Sequence, residues 1–265
     1  MALVEERKAC LNEAAGMPFW TNPPLGTGMK TRFMLFLRQE WLQLLLILLP
    51  LAAALAAMPF ASDQVPMQWG SDGRVNWEAS KSWGLLVLPL LALVIFGVVF
   101  LLEQADPRRI GADGRLTPHG QAIRSIRLAL SVMLAAVMMI QISAALGHRP
   151  DAGRWVGTLV ALLLAVIGCF LGKLKPNRYA GIRIPWTMKS EAVWEETHRF
   201  AGWMYTVSGL LMATALWVLP APAQPVLWWV WITLLIVPPM VVAGRAARRE
   251  RVLQAGGPAP GRGRD

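Results

Sequence analysis

The sequence predicts an all-α polytopic membrane protein with six transmembrane helices and both termini in the cytoplasm. Three observations predict it. Apolar residues gather into six blocks of 17 to 20 residues that hold no Asp, Glu, Lys, Arg or His: 41–60, 83–102, 128–146, 155–171, 200–219 and 226–243. Blocks of this length suit helices that cross the hydrocarbon layer, whereas barrel strands would alternate apolar and polar over about 10 residues. Lys and Arg then divide unevenly between the two sides. With the N-terminus inside, the inner segments hold 22 of them and the outer loops 4, which sets the orientation.

Composition agrees. Of 265 residues, 55% are apolar and 16% charged, against roughly 25% charged in ordinary soluble domains. The formal net charge of +10 is accounted for by the inner-face excess of Lys and Arg facing anionic lipid, so direct nucleic-acid binding is not expected. The bilayer itself is the first expected partner. Cys10 and Cys169 lie at different depths and are not expected to pair, and no cysteine framework or metal motif is present.

In chain order, residues 1–38 form a polar, partly disordered cytoplasmic tail. Within it, Met29-Lys30-Thr31-Arg32 resembles the start of a membrane protein, so residues 1–28 read as a disordered tail or an over-extended start. The stretch "PPLGTGMKT" lacks the unbroken Gly-Lys and the strand that a phosphate loop needs. Residues 39–125 are expected to form an amino-terminal two-helix membrane domain, and 126–243 a four-helix membrane domain. Residues 244–265 form a basic cytoplasmic tail. Pro50, Pro89, Pro238 and Pro239 bend or end their helices locally. Tryptophans such as Trp41, Trp83, Trp155, Trp203, Trp217, Trp228 and Trp229 fall near block ends, where an apolar ring with a polar N–H settles at headgroup level.

Spans four and five carry small residues at helical spacing: Gly157, Ala161, Ala165, Gly168 and Gly172 on one, and Gly202, Thr206, Gly209 and Ala213 on the other. These two helices are expected to pack through those faces. Gln43 and Gln141 are the amides within spans and are expected to make interhelical hydrogen bonds; a polar pore lining is the sharper reading.

The outer loop "MPFASDQVPMQWGSDGRVNW" is expected to be rigid. Pro59 and Pro66 enforce extended backbone, and Gly-Ser-Asp-Gly supplies a turn. Its acidic groups Asp63, Asp72 and Glu78 lie beside Trp69 and Trp77, which suits either a capping turn or a receiver for a cationic amphipathic peptide. The inner segment 179–203 sets Arg183, Lys189, Glu195, Glu196, His198 and Arg199 ahead of span five. Ser190 is a good N-cap, Glu191 favours the helix dipole, and Glu195 and Arg199 stand at i, i+4. Glu-x-x-His here occurs once, without the second copy and extra carboxylates of a di-metal site, and no His-Glu-x-x-His or serine elbow is present. No cofactor and no catalytic residue are expected. The segment reads as an interfacial helix with solvated charges or as a docking surface.

"NRYAGIRIPWTMKSEAVWEETHRFAGW", residues 177–203, resembles the SdpI family of bacterial immunity proteins. Asn177, Arg178, Gly181, Ile182, Arg183, Pro185, Trp186, Thr187, Val193, Trp194, Thr197, His198, Arg199 and Gly202 match that family's pattern. The outer loop is similar to the amino-terminal domain that often accompanies it, through Val65, Pro66, Trp69 and Gly73. Gln68 stands where that family usually has His.

The resemblance, over about residues 42–219, implies an inner-membrane protein that protects its cell from a secreted, membrane-active peptide toxin. It also implies that such a protein can hold a cytoplasmic repressor at the membrane. On this expectation Asp63, Pro66, Gln68, Trp69, Asp72 and Trp77 face the toxin. Asn177, Arg178, Arg183, Pro185, Trp186, Thr187, Trp194, His198 and Arg199 face the cytoplasmic partner. A small-solute transporter or channel and an inner-face membrane enzyme are the alternatives. The spans hold no ionisable residue at mid-membrane and no broken-helix repeat, as ion-coupled pumps usually do.

Overall fold

The computed structural model describes residues 29–70, 75–113, 115–177 and 179–255. The chain runs α1 (Met29–Ala57), β1 (Gln64–Trp69), β2 (Val75–Ser80), α2 (Lys81–Ala105), α3 (Pro118–Ala145), α4 (Ala152–Leu171), α5 (Pro185–Lys189), α6 (Glu191–Val218), a 3₁₀ turn (Ala221–Ala223) and α7 (Gln224–Ala255). Six of the helices are long and apolar enough to cross a membrane. Their outward surfaces are apolar too: Leu90, Leu91, Val94, Val98 and Leu101 on α2 are all exposed. In water such a surface would be costly, and in lipid it is the expected one. The tail 1–28, with the first part of the stretch rejected as a phosphate loop, lies outside the described residues.

By packing, the chain forms two compact units that meet inside α4, at Val160 and Ala161. The division at 125/126 followed sequence segments; by packing, α3 lies with α1 and α2.

In the first unit the outer loop is a β-hairpin, an element that the all-α expectation did not include. β1 and β2 pair antiparallel, with Val65 opposite Ala79 and Pro66 opposite Glu78. The ladder is irregular between Pro66 and Gln68 and again between Gln68 and Trp69, so the strands are short and kinked. A two-stranded hairpin is marginal alone, and this one is anchored by packing. Val65 is fully buried against Ala54, Ala57, Ala61, Leu85, Ile142 and Ala145. Ser62 donates its N–H to the Ala145 carbonyl at 2.9 Å, and Lys81 pairs with Asp63 at 3.0 Å. Gln141 donates to the Met67 sulfur, and Gln43 donates to Ser131 Oγ at 3.2 Å. Each amide thus joins two elements.

At the other end of the same three helices lies a buried ionic lock. Arg127 of α3 reaches Glu40 of α1 at 3.0 Å and Glu103 of α2 at 2.9 Å. Its side chain is 1% exposed, and the two carboxylates are 5% and 2% exposed. The guanidinium also lies 5.4 Å from the ring centroids of both Phe96 and Phe100, which spreads its charge over two aromatic faces. Arg124 and Arg109 approach the same carboxylates from the rim, at 3.8 and 3.9 Å. Beside the lock is a cavity of about 10 Å³ lined by Arg127, Ser131 and apolar side chains, room for about one water. Nearby, Thr117 caps α3 by accepting from Gly120 N–H, and Asp106 bonds His119 at 2.8 Å.

In the second unit the small-residue faces meet as expected. A Cβ on Gly168 would stand 2.6 Å from the Gly202 carbonyl and from Thr206, and one on Gly209 would stand 2.6 Å from the Ala161 carbonyl. Only glycine permits that approach of α4 and α6. Thr206 seals the contact by bonding the carbonyls of Ala165 and Gly202. The Tyr205 hydroxyl donates to the Leu235 carbonyl of α7.

Candidate functional site

The segment between α4 and α6 turns back on itself, and its local chemistry explains how. Asn177 uses all of its side-chain bonding capacity. Its Oδ1 accepts from the N–H groups of Tyr179 and Ala180 at 2.8 and 2.7 Å, and its Nδ2 donates to the carbonyls of Lys175 and Ala180. This is the side-chain-mimics-backbone turn that Asn favours. Gly181 follows at φ +118°, a backbone that L side chains rarely adopt, and a Cβ there would stand 2.5 Å from His198 Nε2.

Pro185 opens α5, and Thr187 closes its entry. The Thr187 hydroxyl donates to the Ile182 carbonyl at 2.6 Å and accepts the Ile184 N–H at 3.1 Å. Ser190 then caps α6 as expected, accepting the Val193 N–H at 3.3 Å. Its hydroxyl proton goes to Glu250 of α7 at 2.8 Å.

Behind the turn stands a buried ring pair. Trp194 and His198 stack with centroids 3.9 Å apart and planes 16° from parallel. Trp194 Nε1 donates to the Leu174 carbonyl at 2.7 Å. His198 Nε2 accepts the Ile182 N–H at 2.9 Å, so the ring proton sits on Nδ1, which donates to the Trp194 carbonyl at 2.9 Å. Both nitrogens are engaged by the backbone and the imidazole is neutral. It has no free face for acid–base work, and among the described residues no group of three or more His, Cys, Asp or Glu could hold a metal ion.

The residues expected to face a cytoplasmic partner therefore separate into two sets. Asn177, Thr187, Trp194 and His198 are buried and hold the turn. Arg183, Pro185, Trp186 and Arg199 are exposed, and Arg178 lies outside the described residues. Arg199 acts on Glu195 through its charge, and Lys175 makes the close contact, reaching Glu195 at 2.6 Å and Glu191 at 3.4 Å. The turn brings Lys175 back over the first turn of α6, a proximity that spacing along one helix does not reveal. Those two acceptors raise the Lys175 ammonium above its ordinary range.

On the hairpin, Trp77 is 52% exposed, and Asp63, Gln68 and Glu78 are exposed as well. Trp69 and Pro66 are half-buried, and Asp72 lies outside the described residues. Phe60 and Trp83, which flank the hairpin, are exposed and were not among the expected contacts. Sequence reasoning also missed the Arg127 lock. Its signal was present in Glu40, Glu103 and Arg127, opposite charges standing one residue outside three of the charge-free blocks.

Comparison with known proteins agrees with this layout. The SdpI/YfhL protein family model matches residues 173–244, which cover the turn, α5, α6 and most of α7. A domain of unknown function, DUF1648, matches residues 45–93, which cover the later part of α1, the hairpin and the first half of α2. The immunity protein SdpI of Bacillus subtilis (strain 168) is 22% identical over 177 residues, which span 67% of this chain and 81% of that protein. No solved structure matches the chain. The turn and ring pair of this multi-pass helical membrane protein thus fall in a segment similar to the SdpI/YfhL family, its hairpin falls in one similar to DUF1648, and the chain is distantly similar to the Bacillus immunity protein.

Proposed function

We propose that this protein protects the cytoplasmic membrane of its own cell against a secreted, membrane-active peptide. In this reading both termini lie in the cytoplasm and the hairpin faces outward. The observation that carries it is the hairpin surface. Exposed Phe60, Trp77 and Trp83 share the hairpin region with the exposed carboxylates of Glu78 and of Asp63, the latter paired with Lys81, on a base packed against three helices. An amphipathic cationic peptide presents the complementary pair of properties, an apolar face and positive charge. A rigid receiver also loses little entropy on binding. The distant homology to an immunity protein supports the same reading.

The test is membrane potential in cells with and without the protein, challenged with cationic amphipathic peptides. Protection should be specific to one peptide class and should fall in a Trp77→Ala/Glu78→Gln variant that keeps its thermal stability. Equal depolarisation with and without the protein, across such peptides, would sink the proposal.

A second reading concerns a cytoplasmic regulator. Arg183 and Arg199 are exposed, and Arg199 interacts with Glu195 only through its charge, without a close ion pair, which leaves both available to an acidic partner surface. Replacing both should abolish recruitment while protection persists. A transport role would show instead as solute uptake by reconstituted vesicles. The reading is non-enzymatic: the one histidine of the turn is occupied by backbone groups.

A further inference from the structure

Where α7 leaves its apolar run, a groove of about 190 Å³ opens between α5 and α7, lined by Trp186, Lys189, Ser190, Ala247, Glu250, Arg251 and Gln254. Its wall is built. The Trp186 ring lies against Gly244, where a Cβ would meet it at 3.6 Å, and its remaining surface is 38% exposed. The carboxylate in the groove, Glu250, is engaged by the Ser190 hydroxyl at 2.8 Å. Lys189 and Arg251 form no ion pair among the described residues, so two positive side chains flank one engaged negative one. Arg245 and Arg248 stand exposed on the same stretch of helix.

The decisive feature runs along the helix. Ala247 and Arg251 continue a stripe that begins with Val237, Met240 and Gly244, spaced three or four apart and therefore on one face. Val237 and Met240 are exposed. Below an anion held by Lys189 and Arg251, Ala247 is buried against Val193 and the Trp186 ring covers Gly244, so the apolar track runs over that ring to exposed Met240 and Val237, toward the membrane. A phosphodiester with acyl chains fills both parts. A soluble acidic peptide fills only the upper one and leaves the track bare. The indole of Trp186 suits the same depth, since its ring packs on apolar chain and its N–H meets headgroups.

We propose that this groove is a binding site for one anionic phospholipid, its phosphate between Lys189 and Arg251, its acyl chain along Met240 and Val237. The site is independent of peptide protection, and its failure would leave that reading untouched.

The full-length protein, purified in mild detergent, is tested by native mass spectrometry and thermal unfolding. It is also placed in nanodiscs of phosphatidylcholine alone and of phosphatidylcholine with phosphatidylglycerol. The wild type should retain one phosphatidylglycerol through delipidation and unfold at higher temperature in the anionic discs. Lys189→Gln/Arg251→Gln should weaken that retention about tenfold or more, since each cation near the surface contributes about 1 kcal/mol. Arg245→Gln/Arg248→Gln removes the same charge outside the groove and should retain the lipid, as should the charge-keeping Lys189→Arg/Arg251→Lys. Equal losses in both neutralised variants would reduce the effect to general surface charge and overturn the site. Stabilisation of the protein in phosphatidylcholine by inorganic phosphate or polyglutamate, equal to that given by phosphatidylglycerol, would overturn it as a lipid site.

Discussion

Ile182 donates its backbone N–H to Nε2 of His198 at 2.9 Å, across 16 residues of chain. A histidine that looks like a catalytic or contact group is thereby a strut. His198→Ala leaves the Ile182 N–H without its acceptor and strips the stack from Trp194. A buried, unsatisfied donor costs about 1–3 kcal/mol, so thermal unfolding in detergent should move down by several degrees. If the variant unfolds at the wild-type temperature and loses only protection, His198 is a contact residue and the strut reading is wrong.

The lock on α1, α2 and α3 should behave asymmetrically. Arg127→Leu alone buries two carboxylates without their cation and should cost about 3–5 kcal/mol. Glu40→Leu/Glu103→Leu/Arg127→Met together remove the three buried charges and leave only Arg109 and Arg124 at the rim, so the triple variant should cost clearly less than Arg127→Leu alone. Retention of protection by the stable triple variant would make the lock purely architectural. Loss of protection at wild-type stability would give those charges a direct role.

Asp106 carries a pH dependence with a definite sign. Burial pushes its carboxyl up, but the hydrogen bond from His119, the Arg108 N–H and nearby positive charge outweigh it and hold the group below its ordinary value. A depressed carboxylate stabilises the fold fully above the unfolded value, about 3.9, and loses that contribution as pH falls through the folded value. Asp106→Asn should therefore lower the unfolding temperature at neutral pH and flatten its decline at acid pH. A wild-type acid limb that matches the variant's would show that the pair with His119 contributes nothing.

Orientation is tested by thiol labelling. After Cys10 and Cys169 are replaced by serine, a cysteine at Ala180 should resist impermeant reagents on intact cells, and one at Gln68 should react. The reverse pattern would invert the sidedness on which the outward hairpin and the inner turn depend.

Much of this molecule is legible in its sequence because the signals are local. Charge-free length marks six helices, small residues at i, i+3 and i+4 mark the α4–α6 contact, and Ser190 marks a helix start. The misses share one cause, which is proximity between segments far apart in the chain. β1 and β2 were hidden because Pro66 and two register irregularities break the alternation that marks strands. Lys175 joins Arg199 at Glu195 only because the Asn177 turn folds it back. Glu40, Glu103 and Arg127 read as helix-end charges until three helices converge on them. At the turn, the sequence singles out a set of residues, and burial separates those that hold the bend from those that face outward.

That turn has a consequence for kinship. The side chains that carry the resemblance to the SdpI family at this turn, Asn177, Gly181, Thr187, Trp194 and His198, are consumed in holding a bend shut. Two chains that keep all five share a hinge-pin and need share no adversary. On the protective reading, whatever tells one peptide from another must be written elsewhere, on surfaces free to vary without the bend coming undone.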